Sequence, residues 1–241
     1  GIILTSSSGR SAPALAEHAL MFMLSLTYDL PMLMRAQKEH KWAVSREYSE
    51  KTGMYRKTVG VIGLGKTGSE VARLVKSFDM KVLAWDRRRK ETQNVDQVYG
   101  AENGDNLNEL LAQCDYVVLS LELNDQTFHI IDAAQLAAMK KTAFLVNMGR
   151  GGLVNEPAMI EALKNGGIAG AGLDTFETEP LPSESPLWNL PNVIITPHIT
   201  PQLPDKEERM LDYVYQNIKA YRENGTFVNR VTLRNMLTPQ K

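Results

Sequence analysis

Short apolar runs recur along the chain at Val59–Ile62, Lys81–Trp85, Tyr116–Leu121, Ala143–Val146, Ile168–Leu173 and Val193–Thr196, and helical patterns separate most of them. Each run has the length of a buried strand, and the alternation predicts an α/β fold built on a doubly wound parallel sheet. The longest apolar segment is helical. Ser11 is placed to cap it and Pro13 lies in its first turn, while Ala14–Leu30 carries apolar residues nearly all round, Leu20 to Leu24 among them. A helix of that kind needs cover on more than one side, so part of 14–34 is expected to form a subunit interface, with complete burial inside one chain as the plainer alternative. Pro31 should break it, and a second helical pattern resumes at Met32. Further on, Asn106–Gln113 reads as a short helix. Asp132 caps another helix through Met139, and Asn155 with Pro157 opens one that Asn165-Gly166-Gly167 closes. Gly1–Leu4 reads as a strand, Ser45–Arg56 as a polar surface loop and Gln93–Gly104 as polar irregular chain. Asp205–Arg222 is a last helix whose Met210, Leu211, Val214, Ile218 and Tyr221 are expected to pack on the protein.

The stretch from Thr58 to Asp86 narrows the function. Val59–Ile62 runs into Gly63-Leu64-Gly65-Lys66-Thr67-Gly68 and then a helical pattern, which is G-x-G-x-x-G between a strand and a helix. The first glycine permits the tight turn, the second lets a pyrophosphate approach bare backbone, and the third lets helix and strand pack closely. N–H groups at the helix start face the phosphates. The next apolar run ends at Asp86, 18 residues beyond Gly68, close to the ~20 expected of a carboxylate that grips an adenosine ribose. Arg87-Arg88-Arg89-Lys90 follows. Such a run is ordinarily a solvated loop, but beside the ribose acid it also offers a seat for a 2′-phosphate. Asp86 would repel that phosphate, so NAD is favoured over NADP.

Composition excludes more than it selects. The 241 residues carry 27 Lys and Arg against 28 Asp and Glu, and the formal charge of −1 gives no reason to expect nucleic acid or an anionic membrane as partner. No apolar stretch has the length of a membrane span or the layout of a signal peptide. Cys114 is the one cysteine, read as a buried apolar residue that suits a reducing cytoplasm. His18, His40 and His129 have neither clustered spacing nor cysteine and carboxylate partners, so they are read as structural or surface residues and no metal site is expected.

In a doubly wound sheet, ligands bind beyond the carboxyl ends of the strands. The glycine loop, Arg150, Asp174 and His198 each follow a different predicted strand and should therefore meet on one rim. Taken singly, an Arg in a glycine-rich loop is a surface charge as often as not, and a His after a strand is often structural. Sharing a rim with a dinucleotide loop changes that weighting.

At this point the chain resembles the D-isomer-specific 2-hydroxyacid dehydrogenase family. The resemblance is carried by SAPALAEHAL, VGVIGLGKTG, MKKTAFLVNMGRGGLVNEPAMIEAL, GLDTFETEP and NVIITPHIT, in that order, over most of the chain. It implies a Rossmann-like fold with a long N-terminal interface helix and a C-terminal helix, binding NAD. Arg150, Glu179 and His198 match the family's catalytic Arg, Glu and His. Cofactor contacts fall on Gly63, Gly65, Lys66, Thr67, Gly68, Asp86, Arg87, Leu121, Glu122, Thr127, Met148, Gly149, Asp174 and His198, with Asp174 meeting the nicotinamide carboxamide. The long early helix would contribute to a two-fold homodimer.

The implied chemistry is coherent. Arg150 offers a rigid fork of donors to a substrate carboxylate and the adjacent carbonyl oxygen. His198 can give that oxygen a proton as hydride arrives and take it back in reverse, with Glu179 orienting the imidazole and stabilising its protonated form. The reading is a cytoplasmic NAD-dependent oxidoreductase of small D-2-hydroxy and 2-oxo acids. The rival is a non-catalytic, NAD-binding regulatory or corepressor-like dimer, or an inactive fragment of the enzyme. Residues 1–10 match the end of the family's substrate domain, 11–200 its dinucleotide domain, and 201–241 a helical segment returning toward the substrate domain. The chain thus reads as a fragment or a shortened form. Two departures lie near the expected nicotinamide pocket: Glu122 where members often have Pro, and Thr200-Pro201-Gln202 where small residues are common after the histidine.

Overall fold

In a computed structural model, residues 2–42, 53–88, 90, 92–200 and 202–231 are described. Seven parallel strands, β1 (Thr58–Ile62), β2 (Lys81–Asp86), β3 (Gln97–Gly100), β4 (Tyr116–Leu119), β5 (Phe144–Asn147), β6 (Gly170–Leu173) and β7 (Val193–Ile195), form one sheet in the order β3-β2-β1-β4-β5-β6-β7. The chain leaves β1 in one direction and, after β3, resumes on its other side with β4. The order therefore reverses between β1 and β4, the position where such sheets open a ligand crevice.

Both faces of the sheet are buried, which explains the continuous apolar strands. Val59, Val61, Val82, Ala84, Tyr116, Val118 and Val146 point into one core with α1 (Ala12–Thr27) and α3 (Lys66–Lys76). Ile62, Leu83, Trp85, Val117, Leu119 and Leu145 point into the other, with α4 (Leu107–Leu111), α5 (Ala133–Ala138) and α6 (Glu156–Lys164). Cys114 is fully buried in the second core and burial pushes its thiol up to about 12.

α1 is covered by α3 on one side and by β5 and β6 on another. Phe22 approaches so closely that a Cβ on Gly172 of β6 would lie 2.5 Å from its ring. The helix stops at Thr27, Asp29 turns through φ 48°, and Pro31 sits in the first turn of α2 (Leu30–Lys38), so the expected break is present. Burial is incomplete, however: Met21, Tyr28, Leu30 and Met34 stay exposed.

Several local expectations are corrected by long-range contacts. Ser11 stands at the N-cap of α1, but its side chain makes no capping bond. Ile2–Leu4 is not a strand; only Thr5 forms a bridge, with Arg230. Within the expected polar loop, residues 45–52 lie outside the described residues, and Met54 is buried in the first core. Within 93–104 there is an edge strand, β3, whose start is tied to β2 by Asp96 accepting the Val82 N–H at 2.7 Å. The last helix, α7 (Lys206–Asn224), has no buried residue: Met210, Leu211, Val214, Ile218 and Tyr221 are all exposed, so the expected apolar face stays largely open, with Tyr221 stacked on Phe227 at 5.2 Å between ring centroids.

Gly172→Ala is expected to force Phe22 aside and to cost about 1–3 kcal/mol. Urea unfolding at constant m-value measures the loss, and an unchanged midpoint would refute the close packing of α1 on β6.

Candidate active site

Each strand of the sheet delivers a loop to the same rim. Gly63 leaves β1 with φ 103°, a conformation that favours glycine. A Cβ on Gly65 would meet nothing within 4 Å, the open approach a pyrophosphate needs, whereas one on Gly68 would lie 1.9 Å from the Gly63 carbonyl oxygen. Gly68 therefore serves the packing of α3 and does not line the cleft. Ser120 closes the loop from the far side of the switch point, its hydroxyl donating to the Gly63 oxygen at 2.8 Å. The first turn of α3, opened by Gly65 without a side-chain cap, presents its N–H groups to this space.

The cleft holds about 1520 Å³ and is lined by Gly63, Gly65, Lys66, Thr67, Asp86 and Arg87 at one end, and by Leu121, Glu122, Thr127, Met148, Gly149, Arg150, Asp174 and His198 at the other. Of the residues expected at the site, only Gly68 and Glu179 are set back from its wall. The volume and the bare glycine turn fit an extended dinucleotide.

At the first end, Asp86 accepts the Arg87 N–H at 2.7 Å and pairs with the Lys90 ammonium, which also reaches the Leu64 oxygen at 3.3 Å. Arg87 and Arg88 lean on Glu102, and Arg89 lies outside the described residues. The Lys66 side chain turns outward to the Ser8 oxygen at 3.4 Å and the Tyr213 hydroxyl at 2.8 Å, leaving its backbone at the helix start for the loop. Thr127 shapes the turn after β4 by donating to the Glu122 oxygen at 2.7 Å.

At the other end, β5, β6 and β7 lie side by side and set Arg150, Asp174 and His198 along one wall. Arg150 is exposed and braced by a hydrogen bond from Nη1 to the Gly149 oxygen at 2.6 Å. His198 takes φ 51°, and its Nδ1 lies 2.7 Å from Glu179 Oε2, while Glu179 Oε1 accepts the Phe176 N–H at 3.0 Å. Asp174 is buried, and both its oxygens are engaged. Oδ1 accepts from the Thr196 hydroxyl at 2.5 Å and the Ile199 N–H at 3.1 Å; Oδ2 accepts from the Thr200 N–H at 3.2 Å and from the Thr200 hydroxyl. These bonds grip the chain on both sides of His198, so the strained turn is held by a single carboxylate.

Sequence reasoning missed Ser120, the Thr196 and Thr200 hydroxyls and the segment Ser6–Arg10, which lines the cleft mouth with Asn229 and Arg230. That mouth is assembled by the Ser6 N–H donating to the Asn229 oxygen at 3.0 Å and the Val231 N–H to the Leu4 oxygen at 2.9 Å, pairings between opposite chain ends that no local pattern announces. His129, read as structural or surface, lies 2.7 Å from Glu177 and away from the cleft. No group of three or more His, Cys, Asp or Glu suited to a metal occurs among the described residues, and no described helix is long and apolar enough to cross a membrane.

Fold and cleft together define a dinucleotide-binding α/β domain whose second half carries an Arg, an Asp and a Glu-paired His. The chain belongs to the D-isomer specific 2-hydroxyacid dehydrogenase family: the model of that family's NAD binding domain matches residues 20–200. Among curated proteins it is 36% identical over 224 residues to a glyoxylate reductase of Korarchaeum cryptofilum, covering 92% of this chain and 67% of that protein. It is also 36% identical over 236 residues to a D-3-phosphoglycerate dehydrogenase of Methanocaldococcus jannaschii, covering 98% and 44%. Among solved structures, a D-isomer specific 2-hydroxyacid dehydrogenase from Xanthobacter autotrophicus Py2, in complex with NADPH and MES, superposes with a TM-score of 0.83 at 31% identity, covering 96% of this chain and 92% of that one. The chain spans 67% of the length of the first of these curated relatives and 44% of the second.

His18 generates a pH prediction. Burial lowers its pKa below the ordinary 6.5, with Asp174 opposing the shift. The neutral form is thus favoured by folding, so this contribution to stability is fully present above pH 6.5 and is lost as pH falls through the lower folded value. Chemical denaturation of the wild type between pH 7.5 and 5 should show a steeper loss than His18→Gln; parallel curves would refute it.

Proposed function

We propose that this chain carries the cofactor-binding and catalytic residues of an NAD(H)-dependent enzyme that interconverts small D-2-hydroxy acids and 2-oxo acids. The observation that carries the reading is the shared cleft, which joins the glycine loop and Asp86 at one end to Arg150, Asp174 and the Glu179-bonded His198 at the other. NAD(H), when bound, supplies or accepts the hydride at its nicotinamide ring. Arg150 binds the substrate carboxylate and draws on the neighbouring carbonyl oxygen through its planar fork of donors. His198 has Nδ1 committed to Glu179, which leaves Nε2 to hold the proton that passes to and from that oxygen. Asp174 keeps the turn rigid and is proposed to face the carboxamide of the nicotinamide.

Asp86 at the end of β2 supports NAD over NADP, because a 2′-phosphate would lie against its carboxylate. Glyoxylate, hydroxypyruvate and pyruvate are the first acids to test, since relatives bear the names glyoxylate reductase and glyoxylate/hydroxypyruvate reductase. The exposed Met21, Tyr28, Leu30 and Met34 on α1 and α2 support a homodimer through the 14–34 segment. The buried, unreactive Cys114 suits a cytoplasmic setting. Residues 11–200 are read as the dinucleotide domain, with 1–10 and 201–241 as flanking segments.

NADH fluorescence titration followed by addition of each acid tests the activity. Oxidation of NADH by at least one is expected; binding without oxidation by any would instead favour the non-catalytic, NAD-sensing reading. His198 gives the proton in reduction and takes it up in oxidation, so His198→Asn should lower kcat by roughly 10²–10⁴-fold in both directions, and a variant that kept the wild-type kcat would remove His198 from the role. Met34→Asp should convert a dimer to a monomer in sedimentation velocity, and a wild type that sediments as a monomer would refute the interface.

A further inference from the structure

His18 lies on α1, outside the cleft wall, yet its Nε2 is 2.9 Å from the Thr196 hydroxyl oxygen and 3.9 Å from Asp174 Oδ1. The direction of these bonds follows from counting protons. Both Asp174 oxygens already accept backbone N–H donors, so the carboxylate can only accept from Thr196 as well. The single Thr196 proton therefore goes to Asp174, and the lone pair left on that hydroxyl must receive a hydrogen from His18. His18 accordingly carries its proton on Nε2. The edge of Phe22, with ring centroids 4.7 Å apart at 75°, and the partial burial of the side chain hold the imidazole in that orientation.

We propose that His18 is a positioning residue for catalysis: its Nε2–H, passed on through Thr196 to Asp174, fixes the turn that holds His198 in its strained conformation. Thr196 stands two residues before His198, while Ile199 and Thr200 stand just after it, and all three bind the one carboxylate. Loss of the His18 donor frees the Thr196 hydroxyl to turn away from Asp174, and the turn then loses the one side-chain bond that ties it to the carboxylate ahead of His198. The effect falls on proton transfer at His198 and spares the glycine loop, which is built from β1, β4 and α3 and shares none of these bonds. The inference rests on the catalytic reading of His198 given above.

Steady-state kinetics with NADH and the preferred 2-oxo acid, on the full chain, test it in the wild type, His18→Gln, His18→Leu, Thr196→Val and the His18→Leu/Thr196→Val double variant. His18→Leu should lower kcat roughly tenfold with the KM for NADH changed less than about twofold. His18→Gln, whose amide nitrogen reaches the same place as Nε2, should retain most of the activity. The double variant should be no worse than the poorer single one, because both changes break the same linkage. Equal losses in Gln and Leu variants, a loss confined to the KM for NADH, or additive effects in the double variant would overturn the proposal. Nitrogen-15 NMR supplies a readout independent of turnover: His18 should titrate from the Nε2–H tautomer, and an Nδ1–H tautomer would overturn it. If no acid is reduced by the wild type, the activity reading fails by itself, and the linkage is judged by the His198 imidazole shifts. They should move in His18→Leu and stay in place in His18→Gln; shifts unmoved in both would overturn the linkage.

Discussion

A buried carboxylate has to be met by donors, because an ionised group removed from water costs several kcal/mol unless its lone pairs are filled. Asp174, at the end of β6, meets that requirement by recruiting the chain that follows β7, and this need shapes that end of the cleft. The Thr196–Thr200 segment wraps the carboxylate, and His198 is carried into a left-handed conformation at the apex of the wrap. Glu179 then reaches Nδ1 from the loop that follows β6, so one buried charge and one surface carboxylate together orient the imidazole.

That arrangement is possible because β6 and β7 are neighbours in a parallel sheet, which puts their carboxyl ends on the same side. The same geometry places Arg150 one strand further in and the glycine loop across the switch point. Ser120 contributes by tying the end of β4 to the Gly63 oxygen, so the two halves of the cleft are joined where the crevice opens. Distances of many tens of residues along the chain become a few ångströms on the rim.

The two helices at the chain ends behave differently from one another. α1 is nearly as apolar on every side as a core segment, and two layers of protein cover most of it. α7 carries an apolar stripe at helical spacing, but most of that stripe stays exposed, and the helix meets the rest of the chain through Tyr213 and Asn217. An apolar pattern thus describes a buried helix and an exposed face alike, since it records that a helix has an apolar side and not what lies against it.

Sequence by itself determined the elements whose signals are local. The glycine turn between β1 and α3, the acid at the end of β2, the Asp132 cap of α5 and the Asn155 cap of α6 all depend on residues within a few positions of one another. The alternation of strand and helix was equally legible, and with it the convergence of Arg150, Asp174 and His198, because a parallel sheet leaves those residues no other rim. Tertiary structure alone decided what depends on distant partners. It paired β3 at the sheet edge, buried Met54, kept Ile2–Leu4 out of the sheet and deprived Ser11 of a capping role. It also made His18 the outer support of a turn 180 residues away, since a hydrogen bond between a helix and a loop obeys their separation in space and leaves no periodic trace in the chain.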